Sequence, residues 1–455
     1  MRHAALFLAP FCLLASACGG AGETTSVEMT EVSQEAVLDR YEGDWTGVLD
    51  TGGPQLTLTL EVRGEDAVLI SVDQGGARLP IEVTQRDEAG FAGTIAAVGA
   101  ALGLDLTTPD TLAGTFSQGG GTLPLTLTRG TREGSAELPP NDDFLVLSGD
   151  VQLAGTLQLP DTEGPAPAIL MLNGSGPQDR DATVMGQPVF AVLADALAAR
   201  GIATLRLDDR GVGGSDTVAP ASPFDLASDA TAALAALREA GGVLASCTGI
   251  LGHSEGGLIA FLAAEEANPS FLIPLAGMHM TMAETLYDQS EALFMASGAG
   301  QAAVDQNRAL QTAMFEVMRD ESVEDYAAAL IEALTARGFP RQAAEQQAAI
   351  WGQPYSIASL DLDSRQQMAA YDGPVHAFFG GLDLQVLAGP QSERLLEARG
   401  GQPTEITVLD GLNHLFQEAE TGLIQEYATA PHAMAPQALD AIADAAEALI
   451  AQACE

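Results

Sequence analysis

Residues 249–260 read GILGHSEGGLIA and contain Gly-x-Ser-x-Gly as Gly252, His253, Ser254, Glu255 and Gly256. A serine in this pattern is chemically useful where a strand ends and a helix begins. The turn between them lifts the hydroxyl clear of the chain, and the helix N-terminus offers free N–H groups. The flanking sequence meets that condition: TGILG (248–252) is a short apolar strand, and Glu255–Ala267 is an Ala/Leu-rich helical stretch. Gly252 and Gly256 let the chain double back. Ser254 is therefore read as a nucleophile, and His253 as a structural neighbour.

Such a serine needs a base, and the base needs a carboxylate that fixes its tautomer. The chain order on this kind of elbow is Ser, acid, His. His376, His414 and His432 are the candidates. His376 falls inside a strand, and His432 in a Pro/Ala loop. His414 sits in the turn GLNHLF, four residues past a strand ending near Asp410, and is chosen as the base. The acid should follow the preceding strand, VHAFFGGLD, which selects Asp383. Asp372 precedes that strand, and Asp410 is a weaker second choice. An oxyanion needs two N–H donors. Glu255 gives one. The loop NGSGPQDRD (173–181) after the strand AILML gives the other, from Ser175 or alternatively Gly174. Met280 and Met282, just past a strand end, are the candidate substrate contacts.

The elements that must hold these residues alternate in type. Strands at 202–208, 248–252, Phe271–Leu275, Val375–Phe379 and Glu405–Leu409 are interleaved with helices at Val189–Arg200, Leu226–Ala240 and Glu255–Ala267. This predicts an α/β fold with a doubly wound, mostly parallel sheet over residues 144–455. A helical cap is inserted at about 279–371. Within it, Ser322 with Asp325 predicts a capping-box start, and Tyr326, Leu330 and Leu334 share one helical face. Residues 38–132 alternate in the period of half-buried strands, as in Leu56, Leu58, Leu60 and Val62, with Gly-rich breaks between. They predict a small all-β domain, barrel or sandwich. GDWTG near its start is echoed by GTFSQGGG near its end, so first and last strands are expected as neighbours. Residues 18–37 and 133–143 read as linkers.

Composition narrows the function classes. The 455 residues carry 62 acidic side chains against 19 basic ones, a net charge of −43, which argues against nucleic acid and anionic membrane surfaces as partners. Every basic side chain is Arg; without Lys, phosphate loops of the Walker type, Schiff-base lysines and Ser-Lys dyads are excluded. No spacing of Cys or His suggests a metal, and no cofactor is expected. MRHAALFLAPFCLLASAC at the start reads as a secretory signal over 1–17, too short for a membrane span, and no later segment looks transmembrane. LLASAC also resembles a lipoprotein box, which would place a lipid on Cys18. The protein is expected to be exported, periplasmic or secreted. Cys247 and Cys454 are expected to pair there. Cys247 lies just before the elbow strand, and a last helix over about Pro436–Ala451 returns the chain to the same sheet edge.

Taken together, NGSGPQDRD, DDRGVGGS (208–215), GHSEGG, GGLDLQV (380–386) and LNHLFQ (412–417) resemble the motifs of bacterial α/β-hydrolase carboxylesterases with an N-terminal β domain. The resemblance spans most of residues 144–455 and implies Ser254, Asp383 and His414 as a triad acting on a small-molecule ester. One departure is Asn173, where that family usually carries His. Related enzymes include thioesterases and peptidases. A peptidase would need a partner for an amino group, for which Glu284 and Glu291 of the cap are candidates. A binding protein without activity fits a complete triad poorly, and dehalogenases carry Asp at the elbow.

Overall fold

The computed structural model describes residues 40–50, 55–64, 66–71, 77–87, 90–95, 100–118, 121–129 and 143–454. The expected signal over 1–17, Cys18 and both expected linkers lie outside, or almost wholly outside, the described residues. The chain divides into two compact units near residue 142.

The first unit is one nine-stranded antiparallel sheet. Its strands are β1 (Gly43–Asp50), β2 (Gln55–Arg63), β3 (Asp66–Ser71), β4 (Ala77–Pro80), β5 (Glu82–Asp87), β6 (Gly90–Ile95), β7 (Ala100–Thr108), β8 (Thr111–Gln118) and β9 (Gly121–Arg129). They run in the order β4-β3-β2-β1-β9-β8-β7-β6-β5. The two ends of that order are consecutive in the chain, joined through Ile81, whose N–H donates to Ala67 O at 2.9 Å. The sheet curls around Trp45, Leu60, Phe91, Leu112 and Leu127, all buried at alternating positions. The first strand does meet the last: Trp45 pairs with Arg129. GTFSQ belongs to β8, one strand further in, so the echo between the two glycine-rich segments does not mark the contact.

The second unit holds an eight-stranded sheet. Its strands are β10 (Phe144–Ser148), β11 (Val151–Gln158), β12 (Ala166–Leu172), β15 (Ala203–Leu207), β16 (Val243–His253), β17 (Leu272–Leu275), β18 (Val375–Gly380) and β19 (Thr404–Leu409); β13 (Thr183–Val184) and β14 (Gln187–Pro188) form a separate hairpin. The order is β10-β11-β15-β12-β16-β17-β18-β19, antiparallel through β15 and parallel after it. Side chains alternate between the two faces, so both are apolar. Leu170, Leu205, Ile250 and Leu272 pack on helices α2 (Pro223–Glu239) and α3 (Glu255–Ala267). Ile169, Met171, Leu251 and Ile273 pack on α1 (Val189–Ala199) and, at the chain's end, on α11 (Pro436–Ala453). Cys247 and Cys454 form a disulfide with Cα atoms 5.4 Å apart, tying the end of α11 to the central strand β16.

Six helices separate β17 from β18: α4 (Met282–Ala296), α5 (Gln301–Met318), α6 (Tyr326–Thr335), α7 (Arg341–Trp351), α8 (Pro354–Ser359) and α9 (Arg365–Ala370). They bury Met314, Phe315, Leu330, Trp351 and Leu360 in a core of their own. The start of α6 differs from the expected capping box. Asp325 is the N-cap and accepts from Ala328 N–H at 2.9 Å, while the Ser322 hydroxyl donates to Asp320 at 2.6 Å. A nearer carboxylate has taken that hydroxyl, and Asp325 stands close enough to cap alone. α10 (Ala388–Arg399) follows β18 and extends the helical layer beside α9, which itself adjoins α3.

Candidate active site

β16 is extended and apolar because its Val, Leu and Ile residues are covered on both faces. It ends at His253, and α3 starts at Glu255. Between them Ser254 adopts φ 55°, ψ −117°, a region that disfavours any residue with a Cβ. The crossing is tight. A Cβ on Gly252 would lie 2.1 Å from Gly256 O, and one on Gly256 would lie 2.4 Å from Leu172 O. Only glycines let the strand, the turn and the first turn of α3 pass each other here. Ser254 Oγ is buried and has no hydrogen-bond partner among the described residues.

His414 and Asp383 come from the loops after β19 and β18. These loops touch: Leu382 N–H donates to Leu412 O at 2.8 Å. The Asp383 carboxylate is fixed through Oδ1, which accepts from Gln385 N–H at 2.7 Å and Val386 N–H at 2.9 Å. Its Oδ2 lies 2.8 Å from His414 Nδ1. Both side chains are buried. That pairing puts the proton on Nδ1 and leaves Nε2 as the free base. LNHLFQ supplies the loop around His414. Asn413 Oδ1 accepts from Leu415 N–H at 3.0 Å and Gln417 N–H at 2.9 Å, and Asn413 Nδ2 donates to Gln417 Oε1 at 3.0 Å. The tie between this loop and the elbow is His253. Its Nε2 donates to His414 O at 2.9 Å, and its ring lies 4.7 Å from that of His414 between centroids. Burial, with the nearby His414 ring, holds its pKa down at about 3, so it serves as a neutral strut.

The loop NGSGPQDRD lies directly against Ser254: a Cβ on Gly174 would come within 3.2 Å of Ser254 Cβ. Asn173 pins its start, with Nδ2 donating to Asp209 Oδ1 at 3.1 Å and to Leu207 O at 3.3 Å. Asp209 Oδ2 accepts from Gln178 N–H at 2.9 Å. Asp209 is enclosed, and burial pushes its pKa up to about 8, mainly against those two hydrogen bonds. Arg180 completes the brace with bonds of 3.1 and 2.6 Å to Asp208 and 2.8 Å to Asp143. A cavity of about 50 Å³ lies behind this loop, lined by Asn173, Asp209, Arg210 and Ile259 among others. Ser254 and His414 do not line it, and its size suits water rather than substrate.

The structure thus brings Asp383 and His414 into contact, and sets Glu255 and Gly174 around Ser254. The other candidate groups lie elsewhere. His376 is stacked on Phe378 and bonded to Thr407, His432 is half exposed beside Glu418, and Asp410 is exposed. Met282 packs between the sheet core and the cap core. Met280 is half-buried, with its N–H bonded to Gln391 Oε1 at 3.0 Å. The hydrogen bond from that segment to the elbow comes from Met278 N–H to Ser254 O, 3.1 Å. The cap acids are engaged, Glu284 with Arg394 and Glu291 with Arg308, each at 3.0 Å. Sequence reasoning missed the supports Asn413, Gln417 and Asp209, although the first two stand inside LNHLFQ at turn spacing.

Comparison with known proteins adds three findings. The family model described as serine aminopeptidase, S33, matches residues 188–420, just over half of the chain. The esterase EstD of Thermotoga maritima is 28% identical over 270 residues, 59% of each chain, so this chain spans less than two thirds of that relative's length. Among solved structures, Est1E from Butyrivibrio proteoclasticus with bound ferulic acid superposes with a TM-score of 0.39 at 14% identity, covering 68% of this chain and 98% of that one. Proline iminopeptidase from Mycobacterium smegmatis gives 0.41 at 16% identity, with coverage of 68% and 99%. At these scores the superpositions say nothing of this chain's chemistry.

Proposed function

The chain belongs to the S33 serine aminopeptidase family of α/β-hydrolases, and from that premise we propose that it is a carboxylesterase working through Ser254, His414 and Asp383. The observation that carries the reading is the Asp383–His414 contact of 2.8 Å beside a strained serine at a helix N-terminus. His414 Nε2 takes the proton from Ser254 as Oγ attacks the ester carbonyl. The hydroxyl forms no hydrogen bond in the free enzyme; such contacts commonly tighten only with substrate bound. Glu255 N–H and the N–H of Ser175 or Gly174 hold the oxyanion, helped by the dipole of α3. His414 then protonates the leaving alcohol. Water, activated by the same imidazole, cleaves the acyl-enzyme. EstD, a relative named as an esterase, supports ester over amide substrates.

The test is a fluorophosphonate probe together with p-nitrophenyl esters. Wild type should label and turn over, while Ser254→Ala should do neither and lose at least ~10³-fold in kcat, with its circular dichroism unchanged. Activity of Ser254→Ala within tenfold of wild type would sink the assignment.

A second reading, an aminopeptidase, is favoured by the description of the family. It requires an acid free to meet an ammonium group, and Glu284 and Glu291 already face arginines. Aminoacyl p-nitroanilides set against the esters separate the two. As for the whole protein, we propose export after removal of residues 1–17, a β domain over 38–132, a catalytic domain over 144–455, a lipid on Cys18, and substrate contacts from Met280 and Met282. The Cys247–Cys454 disulfide supports an oxidising compartment.

A further inference from the structure

Ser254 Oγ is not the only orphaned polar atom at the elbow. Glu255 Oε1, Ser175 Oγ and the Tyr355 hydroxyl are also buried without a hydrogen-bond partner among the described residues. Ser254 waits for substrate. The proposed mechanism uses only the backbones of Glu255 and Ser175, and does not use Tyr355 at all. Three elements meet here: the elbow, the loop after β12, and α8 of the cap. Both hydroxyls face the Glu255 carboxyl closely enough to favour its ionisation, but the contacts are too loose to satisfy Glu255 Oε1 or either hydroxyl fully. Packed interiors rarely leave one such group unsatisfied. Three around one point describe a site whose missing member is a ligand.

The chemistry of that ligand follows from the surrounding groups. A carboxyl and two hydroxyls offer both donors and acceptors. The guanidinium groups of the two adjoining loops are occupied, Arg180 with Asp208 and Asp143 and Arg210 with Asp229. A second buried acid, Asp209, stands close enough to Glu255 for a charge on Glu255 to disfavour its ionisation. The environment therefore suits a neutral group that donates and accepts, which is a hydroxyl. An ammonium would need an ionised carboxylate beside that second acid. Position follows from stereochemistry. Glu255 and Ser175 supply the oxyanion N–H groups, so their side chains branch from the residues that hold the carbonyl oxygen. The leaving alcohol must lie toward His414, which protonates it. The acyl part is what remains.

We propose that Glu255, Tyr355 and Ser175 form a subsite for a hydroxyl on the acyl part of the ester, making short hydroxy-acid esters the substrate class. This rests on the esterase reading above. The experiment compares kcat/KM for p-nitrophenyl 3-hydroxybutyrate, 3-aminobutyrate and butyrate, which share a leaving group. Wild type should prefer the hydroxy ester over butyrate by about tenfold or more. Tyr355→Phe removes one oxygen, and Glu255→Leu removes the carboxyl; each should bring that ratio to about one. The ratio is measured within one protein, so a general loss of activity does not disturb it. If Glu255→Leu does not fold, Tyr355→Phe decides. No preference in wild type, a preference for the amino ester, or a ratio that survives both substitutions would overturn the subsite. Turnover of butyrate with no preference overturns the subsite alone. Failure of all three esters, with no probe labelling, overturns the esterase reading and the subsite with it.

Discussion

Ser254 holds φ at 55°, and a non-glycine residue there costs roughly 1–3 kcal/mol. Sheet, elbow and helix together maintain that conformation, which is why the strain sits at the one residue whose hydroxyl must stand clear of its neighbours. Asp383 is over-determined in the same way, with one oxygen held by two backbone N–H groups and the other turned to His414. Asp383→Asn keeps the size of the group and presents an amide to Nδ1, which favours the wrong imidazole tautomer. Its kcat on p-nitrophenyl acetate should fall by ~10³–10⁴-fold. Asp410, the rival acid by sequence, is exposed, and Asp410→Asn should stay within about twofold of wild type. If the two variants rank the other way, Asp383 is not the acid.

At the scale of elements, the loops of the candidate site are short and fastened to one another. The loop after β12 hangs from the loop after β15 through Asn173 and Asp209. Asp209 makes that fastening dependent on pH. Its folded pKa, about 8, stands above the unfolded value of 3.8, so between these values the folded state holds a proton that the unfolded chain has released. Stability then falls as pH rises through that window and levels off above it. The carboxylates whose pKa is lowered, such as Glu284 and Asp363, work in the opposite sense, but at pH values below their unfolded ones. The buried neutral histidines His253 and His279 also oppose it, because their unfolded counterparts release protons as pH rises through about 6.5, so the readout is a difference: from pH 5.5 to 8 the Tm of wild type should fall relative to that of Asp209→Asn. Equal slopes would mean that Asp209 is ionised in the folded protein. The elbow, GGLD and LNHLFQ were legible in the sequence because each is a strand end followed by its own turn, and the distances that matter there are local. The convergence of Ser175, Asp209, Glu255 and Tyr355 was not, because it is made by chain segments up to 180 residues apart. The pairing of β1 with β9, rather than with β8, was settled by hairpin order and not by any likeness between the segments. The start of α6 turned on which carboxylate reached Ser322 first.

At the scale of the molecule, the disulfide is a covalent constraint that closes a separation of 207 residues. A loop of that length is worth on the order of 5 kcal/mol in the chain-entropy account. Protein isolated from an oxidising compartment and alkylated while denatured, without reductant, should show neither Cys247 nor Cys454 modified by mass; two modified thiols would refute the bond. The same bond decides what a protease can do to this enzyme. Ser254 and the pair Asp383–His414 lie on opposite sides of the cap in the chain, yet all three fall between the bonded cysteines. Trypsin cutting after the exposed Arg337, in the turn that follows α6, would leave the serine on one fragment and its partners on the other. The fragments remain one covalent body, a ring opened at a single point. Such nicked protein should run as one band without reductant and as two with it, and should keep its probe labelling until the bond is reduced.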